Sequence, residues 1–155
     1  MKRELTLVDI AGYLPHKLQI ESQFGGEICI ANIWNLQGAI VANFKPILRP
    51  MSDLYAKITE RGYNDGKPFI PIFRMAKIKY PEFTHFTHCN LDSGTVFMSS
   101  PQSPAAWYEY DEEKLSIGEY DLFHRLHFDY RGLIPEGLAV SVHDLKQNPY
   151  EAANN

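Results

Sequence analysis

Alternation of apolar and polar positions predicts strands in the first third of the chain. Leu18 and Ile20 alternate with polar neighbours, as in a half-buried strand, and residues 27–34 are apolar on both faces. The second pattern predicts a central strand. Residues 39–44 predict its antiparallel neighbour, so the front of the chain is expected to form a three-stranded meander.

Two capping-box sequences predict helix starts. Thr6-Leu-Val-Asp9 predicts a helix of about two turns that Gly12 and Pro15 end. Ser116-Ile-Gly-Glu119 predicts a long helix that ends at Gly132. The apolar face of the long helix is expected to carry Tyr120, Phe123, Leu126, His127 and Tyr130.

Residues 44–58 predict the end of a strand, a rigid elbow and the start of a helix. Pro46 and Pro50 lack a backbone donor and are expected to lie outside any regular ladder. Ser52 is a good N-cap, and Asp53 places a negative charge in the first turn. The helix is expected to run to about Arg61, before Gly62.

The second half of the chain alternates between helix and strand signals. Pro71 at a first helical position predicts a short helix closed by Pro81. Residues 83–89 and 95–98 predict a hairpin, 99–106 a surface loop, and 138–142 a final strand. The path of residues 82–113 as a whole stays open. The predicted class is α+β, with a mainly antiparallel sheet packed with three to four helices in a single domain over 1–147, and a disordered tail over 148–155.

Composition narrows the function classes. The 155 residues are 45% hydrophobic and 22% charged, as in ordinary globular proteins. A net charge of −4 argues against a dedicated nucleic-acid binder, although a local patch stays open. Cys29 and Cys89 are not closely spaced, which indicates reduced thiols. With no signal peptide or membrane span in the pattern, a cytoplasmic protein is expected.

Three segments resemble small proteins encoded by phages, prophages and mobile elements of anaerobic gut bacteria. They are Asp9-Ile-Ala-Gly-Tyr-Leu-Pro15, Ile47-Leu-Arg-Pro-Met-Ser-Asp-Leu54 and Phe128-Asp-Tyr-Arg-Gly-Leu-Ile-Pro-Glu-Gly-Leu-Ala-Val140. In that group D-(I/L)-A-x-Y-L-P, L-R-P-(L/M)-S-D-L and F-D-x-x-G-L-I-x-x-G-L-A recur in this order. Residues 82–113 have no counterpart there. The resemblance implies a phage or mobile-element context and no particular activity.

The histidines are the candidates for chemistry. Imidazole and thiolate are ligands that zinc prefers, and two pairs can complete one site. His85 and His88 on one predicted strand would point to opposite faces, however, and no established zinc spacing is present. The candidate metal ligands are His85, His88, Cys89, His124 and His127. No catalytic triad, phosphate-binding loop or cofactor is predicted.

Charge is distributed unevenly along the chain. Residues 57–79 form a basic stripe interleaved with aromatic residues, which is typical of sequence-tolerant nucleic-acid binding and also of partner surfaces. Residues 109–121 carry six acids against Lys114. Two solvated faces, attracting each other within the fold or between subunits, are the competing interpretation. The cations of the stripe are Lys57, Arg61, Lys67, Arg74, Lys77 and Lys79.

Five residues are expected to be structural: Arg49, Ser52, Asp53, Asp129 and Gly132. A buried Arg49–Asp129 pair is predicted to tie the elbow to the end of the long helix.

The predicted function is a non-enzymatic phage or mobile-element accessory protein that binds a host or phage protein or other macromolecule, in host takeover or anti-defence. The alternatives are nucleic-acid binding through residues 57–80 and a metal-dependent enzyme that uses the histidine pairs. A homo-oligomer and a structural virion role also stay open.

Overall fold

The structure is a computed structural model that describes residues 3–22, 27–32, 38, 40, 43–90 and 94–152, except the side chains of 88–90. Across these residues it has three α-helices and two sheets that are mostly antiparallel. The predicted α+β class is therefore confirmed. The strands predicted over 27–34 and 39–44 fall partly outside the described residues.

The chain divides into two compact units. The first unit comprises Met1–Met51 and Phe123–Pro149, and the second unit comprises Ser52–Leu122 and Tyr150–Asn155. Each unit joins parts of the sequence that are far apart. One domain over 1–147 stays a prediction.

The first unit begins with helix α1 (Leu7–Ile10), which continues as a 3-10 helix over Ala11–His16. The predicted capping box is confirmed, because the Thr6 N–H donates to Asp9 Oδ2 at 2.9 Å. The predicted end at Gly12 with Pro15 is wrong at Gly12, because the 3-10 helix runs through Gly12 and ends at His16, one residue after Pro15. A Cβ built at Gly12 would lie 2.5 Å from His124 Nε2, so this glycine permits close packing and does not terminate the helix.

The first sheet has the order β2-β1-β3-β7, formed by β1 (Gln19–Glu21), β2 (Ile28–Ile30), β3 (Lys45–Leu48) and β7 (Val140–Ser141). Strand β1 is antiparallel to both β2 and β3, while β3 and β7 are parallel. The prediction of a central strand over 27–34 is wrong, because β2 is at the edge of the described sheet and Ile28 and Ile30 are 41% and 49% exposed.

The predicted meander order is also wrong. Strand β3 begins at Lys45, and its antiparallel partner is β1. Pro46 lies inside β3, contrary to expectation, and pairs with Ile20. The parallel pairing with β7 starts one residue later, at Ile47, so the missing N–H of Pro46 falls before that ladder.

The elbow leads into a 3-10 helix over Met51–Tyr55 rather than into an α-helix that reaches Arg61. Ser52 is the second residue of this 3-10 helix, so the predicted N-cap is wrong, while Asp53 lies in the first turn as predicted. The longer helix is wrong because Ile58 exchanges two backbone hydrogen bonds of 2.9 Å with Phe69, which requires extended backbone. Gly62 has the predicted left-handed φ, at +75°, but it follows a turn and not a helix.

The second unit contains helix α2 (Pro71–Lys79) and an antiparallel sheet of β4 (His85–Asn90), β5 (Thr95–Ser100) and β6 (Ser103–Glu109), in that order. The helix at Pro71 and the hairpin are confirmed. The surface loop over 99–106 is wrong, because most of it is strand. Pro104 is tolerated there because β6 lies at an edge of the described sheet. The core contains Ile72, Met75, Ala76, Val96, Met98 and Tyr108.

Helix α3 (Ile117–Arg125) has the predicted capping box, with the Ser116 N–H 3.0 Å from Glu119 Oε1. The predicted end at Gly132 is wrong. His127 has a left-handed φ of +61°, and the elbow pairs with the backbone after the helix. The Arg49 N–H donates to the His127 carbonyl at 2.7 Å, and the Asp129 N–H donates to the Arg49 carbonyl at 2.8 Å. This pairing takes the hydrogen bonds that a longer helix would need.

The end of the chain differs from the predicted disordered tail at Tyr150, which is only 3% exposed. Its carbonyl accepts a 2.7 Å hydrogen bond from the Arg61 N–H, and the Ala152 N–H donates to Thr59 Oγ1 at 3.1 Å. The last three predicted tail positions, 153–155, lie outside the described residues. Among the helices that are described, none has the length and apolar character needed to cross a bilayer.

Candidate binding cleft

The second unit contains an open cleft of about 520 Å³. Three elements form it: helix α2 with the residues before it, the start of β4, and the segment before Ile58. The lining combines aromatic rings with cations and is called the basic-aromatic cleft below. Its residues are Lys57, Phe69, Ile70, Phe73, Arg74, Lys77, Thr84 and Phe86.

Helix α2 separates its core residues from its cleft residues by helical spacing. Phe73 and Arg74 come four and three positions before Lys77, and all three residues are half-buried. Ile72 and Met75, on the other face, are fully buried. The fixed φ of Pro71 at the first helical position starts the helix, and so sets which residues face the cleft.

Three phenylalanine rings make much of the cleft apolar. The Phe73 and Phe86 ring centroids are 6.4 Å apart with an interplanar angle of 31°, so the two rings already contact each other. Phe69 is packed against Tyr63, with centroids 4.8 Å apart. Because Phe69 is only 6% exposed, a flat or apolar ligand group would stack on the half-buried rings of Phe73 and Phe86.

The three cations of the cleft differ in how freely they can meet a ligand. Lys57 is exposed. Arg74 donates to Asn64 Oδ1 at 2.6 Å, and its guanidinium carbon lies 5.9 Å from the Phe69 ring centroid. The Lys77 ammonium donates to the carbonyls of Pro81 and Phe83, both at 2.6 Å. Lys57 and the remaining N–H groups of Arg74 are therefore the best placed to bind an anion.

The structure thus places only three of the six cations of the predicted basic stripe in the cleft. Lys57, Arg74 and Lys77 line the cleft, while Arg61, Lys67 and Lys79 are exposed outside its lining. Lys79 extends instead toward the rings of Tyr80 and Tyr108, about 6 Å from each centroid.

The predicted metal ligands belong to different units. His85 in the second unit is exposed, and its Nδ1 is 2.9 Å from Thr84 Oγ1, while the side chains of His88 and Cys89 lie outside the described residues. In the first unit, His124 Nε2 is 2.7 Å from the Tyr130 hydroxyl, and His127 Nε2 is 2.7 Å from the His16 carbonyl.

The Nε2 atoms of His124 and His127 therefore both take part in hydrogen bonds, and metal coordination by either atom would break its bond. No group of three or more His, Cys, Asp or Glu residues in the described part of the chain is arranged to hold a metal ion.

Arg49 and Asp129 are both buried, at 2% and 4% exposure. Arg49 Nε donates to the Leu126 carbonyl at 3.0 Å. The Asp129 carboxylate accepts the N–H groups of Leu133 and Ile134, each at 2.8 Å. Burial raises the pKa of Asp129, while these backbone donors act against the increase. The contacts described for both side chains stabilise the turn after α3, which agrees with a structural role.

The sequence interpretation missed two features of the second unit. Thr84, just before β4, and Phe86, within β4, complete the cleft. The alternation within 83–89 indicated only that Phe86 and its neighbours would face opposite sides. Glu119, predicted only as a capping residue, is 1% exposed and also accepts a 2.6 Å hydrogen bond from the Tyr108 hydroxyl. Nothing in the linear sequence pairs these two residues.

Comparison of the chain with protein-family models, with curated proteins and with solved structures gives no match.

Proposed function

We propose that this chain is a non-enzymatic accessory protein that binds a macromolecular partner through the basic-aromatic cleft. The observation that carries the proposal is the combination of Lys57 and Arg74 with the three phenylalanine rings in one open cleft of about 520 Å³. Ligand sites are typically concave and mostly apolar, with a few charged groups that fix orientation. The resemblance to phage and mobile-element proteins supports a host or phage molecule as the partner, in host takeover or anti-defence.

A second candidate is that the partner is a nucleic acid, and the rings favour a single strand. Stacking on phenylalanine requires an open base face, which a duplex hides within its stack. Lys57 and Arg74 lie on the same cleft as the rings and would meet the flanking phosphates. The acidic balance of the whole chain predicts that such binding is modest and confined to this cleft.

The test is a titration of fluorescein-labelled single-stranded oligo(dT) at about 50 mM and about 200 mM salt. Wild-type protein is expected to bind more weakly at the higher salt. The double variant Lys57→Glu, Arg74→Glu is expected to bind at least about tenfold more weakly, because two attractive charges become repulsive. Lys77 is left unchanged because it donates to two backbone carbonyls.

The matched control is Lys17→Glu, Lys146→Glu, which makes the same charge change at exposed positions of the first unit. Equal losses in both double variants would show a non-specific charge effect. If oligo(dT) does not bind, wild-type and cleft-variant proteins are compared as baits in bacterial lysate. A partner retained by both baits would place binding outside the cleft and contradict the proposal.

A further inference from the structure

The second unit also exposes an anionic and apolar surface of its own, called the acidic turn here: Asp111, Glu112, Glu113 and Ile117. The three acids are exposed, and Ile117 is 81% exposed, the highest value among the exposed large hydrophobic residues described. An isoleucine this exposed beside three carboxylates is an apolar group without a covering partner in the described chain.

Local hydrogen bonds fix the shape of the acidic turn. Asp111 Oδ1 accepts the Glu113 N–H at 3.0 Å, and the Asp111 carbonyl accepts the Lys114 N–H at 3.1 Å. The capping box of Ser116 then starts α3 and presents Ile117 at its first position. The backbone of the acids and the helix start at Ile117 are therefore each ordered before any partner binds, which lowers the entropy cost of docking.

The acidic turn and the basic-aromatic cleft are complementary in both charge and polarity. The cleft offers the cations Lys57 and Arg74 beside three phenylalanine rings. The turn offers three carboxylates, which outnumber the exposed Lys114 between them and Ile117, and an exposed aliphatic side chain. No residue of the turn lines the cleft of its own chain in the described structure.

We propose that the acidic turn of one copy occupies the basic-aromatic cleft of a second copy. Ile117 would contact the phenylalanine rings, while Glu112 and Glu113 meet Lys57 and Arg74. Because two different surfaces are joined, the contact is heterologous and forms a closed ring or an open chain of copies. Charge complementarity makes the association sensitive to salt.

The self-association has a consequence for ligand binding, and this consequence rests on the proposed function. The acidic turn presents an anionic and an apolar group to the cleft, as a single-stranded nucleic acid would. Self-association and oligo(dT) binding are therefore expected to compete, so that the cleft is covered at high protein concentration and open at low concentration.

The first experiment is sedimentation velocity of the unliganded full chain over a concentration series, at about 50 mM and about 500 mM salt. Oligomers that grow with concentration and dissociate in high salt are expected. The variant Ile117→Ser, Glu112→Lys, Glu113→Lys is expected to weaken self-association about tenfold or more. Asp111 is retained because it stabilises the turn.

The matched control is Val8→Ser, Glu4→Lys, Glu27→Lys, which changes an aliphatic residue that is 71% exposed and two exposed acids in the first unit. A second test mixes the Lys57→Glu variant with the Glu112→Lys, Glu113→Lys variant. Each alone is expected to be mainly monomeric, and the mixture is expected to regain association because the unchanged acidic turn of the Lys57→Glu variant can dock into the unchanged cleft of the other variant.

A chain that stays monomeric at every concentration would overturn the inference, as would oligomers that the acidic-turn variant does not weaken. These failures are distinguishable from failure of the proposed function. Monomers that bind oligo(dT) would show that the cleft serves foreign ligands alone. Oligomers that depend on Ile117 but bind neither oligo(dT) nor a lysate partner would leave self-association standing and remove the proposed function.

Discussion

Both units bury carboxylates, but they differ in the position of their cations: Arg49 of the first unit is buried, whereas Lys57 and Arg74 of the second unit line an open cleft. In the first unit, Asp9, Arg49 and Asp129 are buried and bonded to backbone groups or to other side chains. In the second unit, the cations Lys57 and Arg74 line an open cleft with three phenylalanine rings. Buried polar groups that satisfy one another stabilise and specify a fold, whereas groups left at a concave surface can bind a ligand.

The three segments from which a phage or mobile-element context was predicted lie mostly in the first unit. Residues 9–15 and 128–140 lie within it, and 47–54 extends only three residues beyond it. Residues 82–113 lie in the second unit and supply Thr84 and Phe86 to the cleft. Arg49 and Asp129 stabilise the turn after α3, and because the cleft lies in the second unit we expect that unit to determine the partner.

The largest effect is expected when the buried cation of the first unit is removed. Arg49→Ala leaves a cavity and deprives the Leu126 carbonyl of its donor, so the free energy of unfolding should fall by about 3 kcal/mol. The measurement is urea unfolding followed by circular dichroism. Lys57→Ala, an exposed cation of the second unit, should change it by less than about 0.5 kcal/mol. Equal losses in the free energy of unfolding for Arg49→Ala and Lys57→Ala would contradict this difference between the two units.

Two glycine substitutions, one in each unit, test the same comparison with smaller expected changes in the free energy of unfolding. A Cβ at position 12 would lie 2.5 to 2.8 Å from three atoms of the His124 ring, so Gly12→Ala should lower the free energy of unfolding by about 1–3 kcal/mol.

In the second unit, a Cβ at position 118 would meet the Ile78 Cγ2 at 2.7 Å, but Ile78 is 41% exposed and free to rotate away. Gly118→Ala also removes a glycine from α3, so it should change the stability by less than about 1 kcal/mol in either direction. The same urea experiment reports both variants. A larger loss for Gly118→Ala than for Gly12→Ala would contradict the packing argument.

The smallest expected effect is on the alkaline pH dependence of the second unit. Burial raises the pKa of Tyr110 to about 12, and the Glu112 charge adds to the increase. Burial, followed by the hydrogen bond to Glu119, also raises the pKa of Tyr108. Above the ordinary tyrosine pKa of 10.0 the unfolded chain has released phenol protons that the folded unit still binds.

The free energy of unfolding should therefore fall as the pH rises from 10 toward 12, because the unfolded state binds fewer protons in that window. Urea midpoints measured between these pH values should decrease, and less steeply in Tyr110→Phe. An unchanged alkaline slope in Tyr110→Phe would contradict the assignment.

In the first unit, Asp9 affects the stability at acid pH. Although burial opposes the shift, hydrogen bonds from Thr6 and the Arg3 charge lower the pKa of Asp9. The contribution of Asp9 to the free energy of unfolding is lost as the pH falls below 3.8.

Sequence alone determined the features that depend on neighbours in the chain. These features are the capping boxes at Thr6 and Ser116, the helix start at Pro71 and the β4–β5 hairpin. They are local because hydrogen bonds over three or four residues and the fixed φ of proline set them. The α+β class followed from these elements. The sequence also located the basic stripe that supplies most of the cleft.

Only the tertiary structure decided where the helices end and which side chains meet. Helix α3 ends at Arg125 because backbone groups of Arg49, seventy-six positions earlier, pair with the residues that follow. The 3-10 helix after the elbow ends because Ile58 pairs with Phe69. Phe86 joins Phe73 in the cleft, and Tyr108 joins Glu119 in the core, through contacts that no local spacing encodes. Such contacts gain their free energy from burial and pairing across the fold, which is a property of the packed chain and not of any single segment.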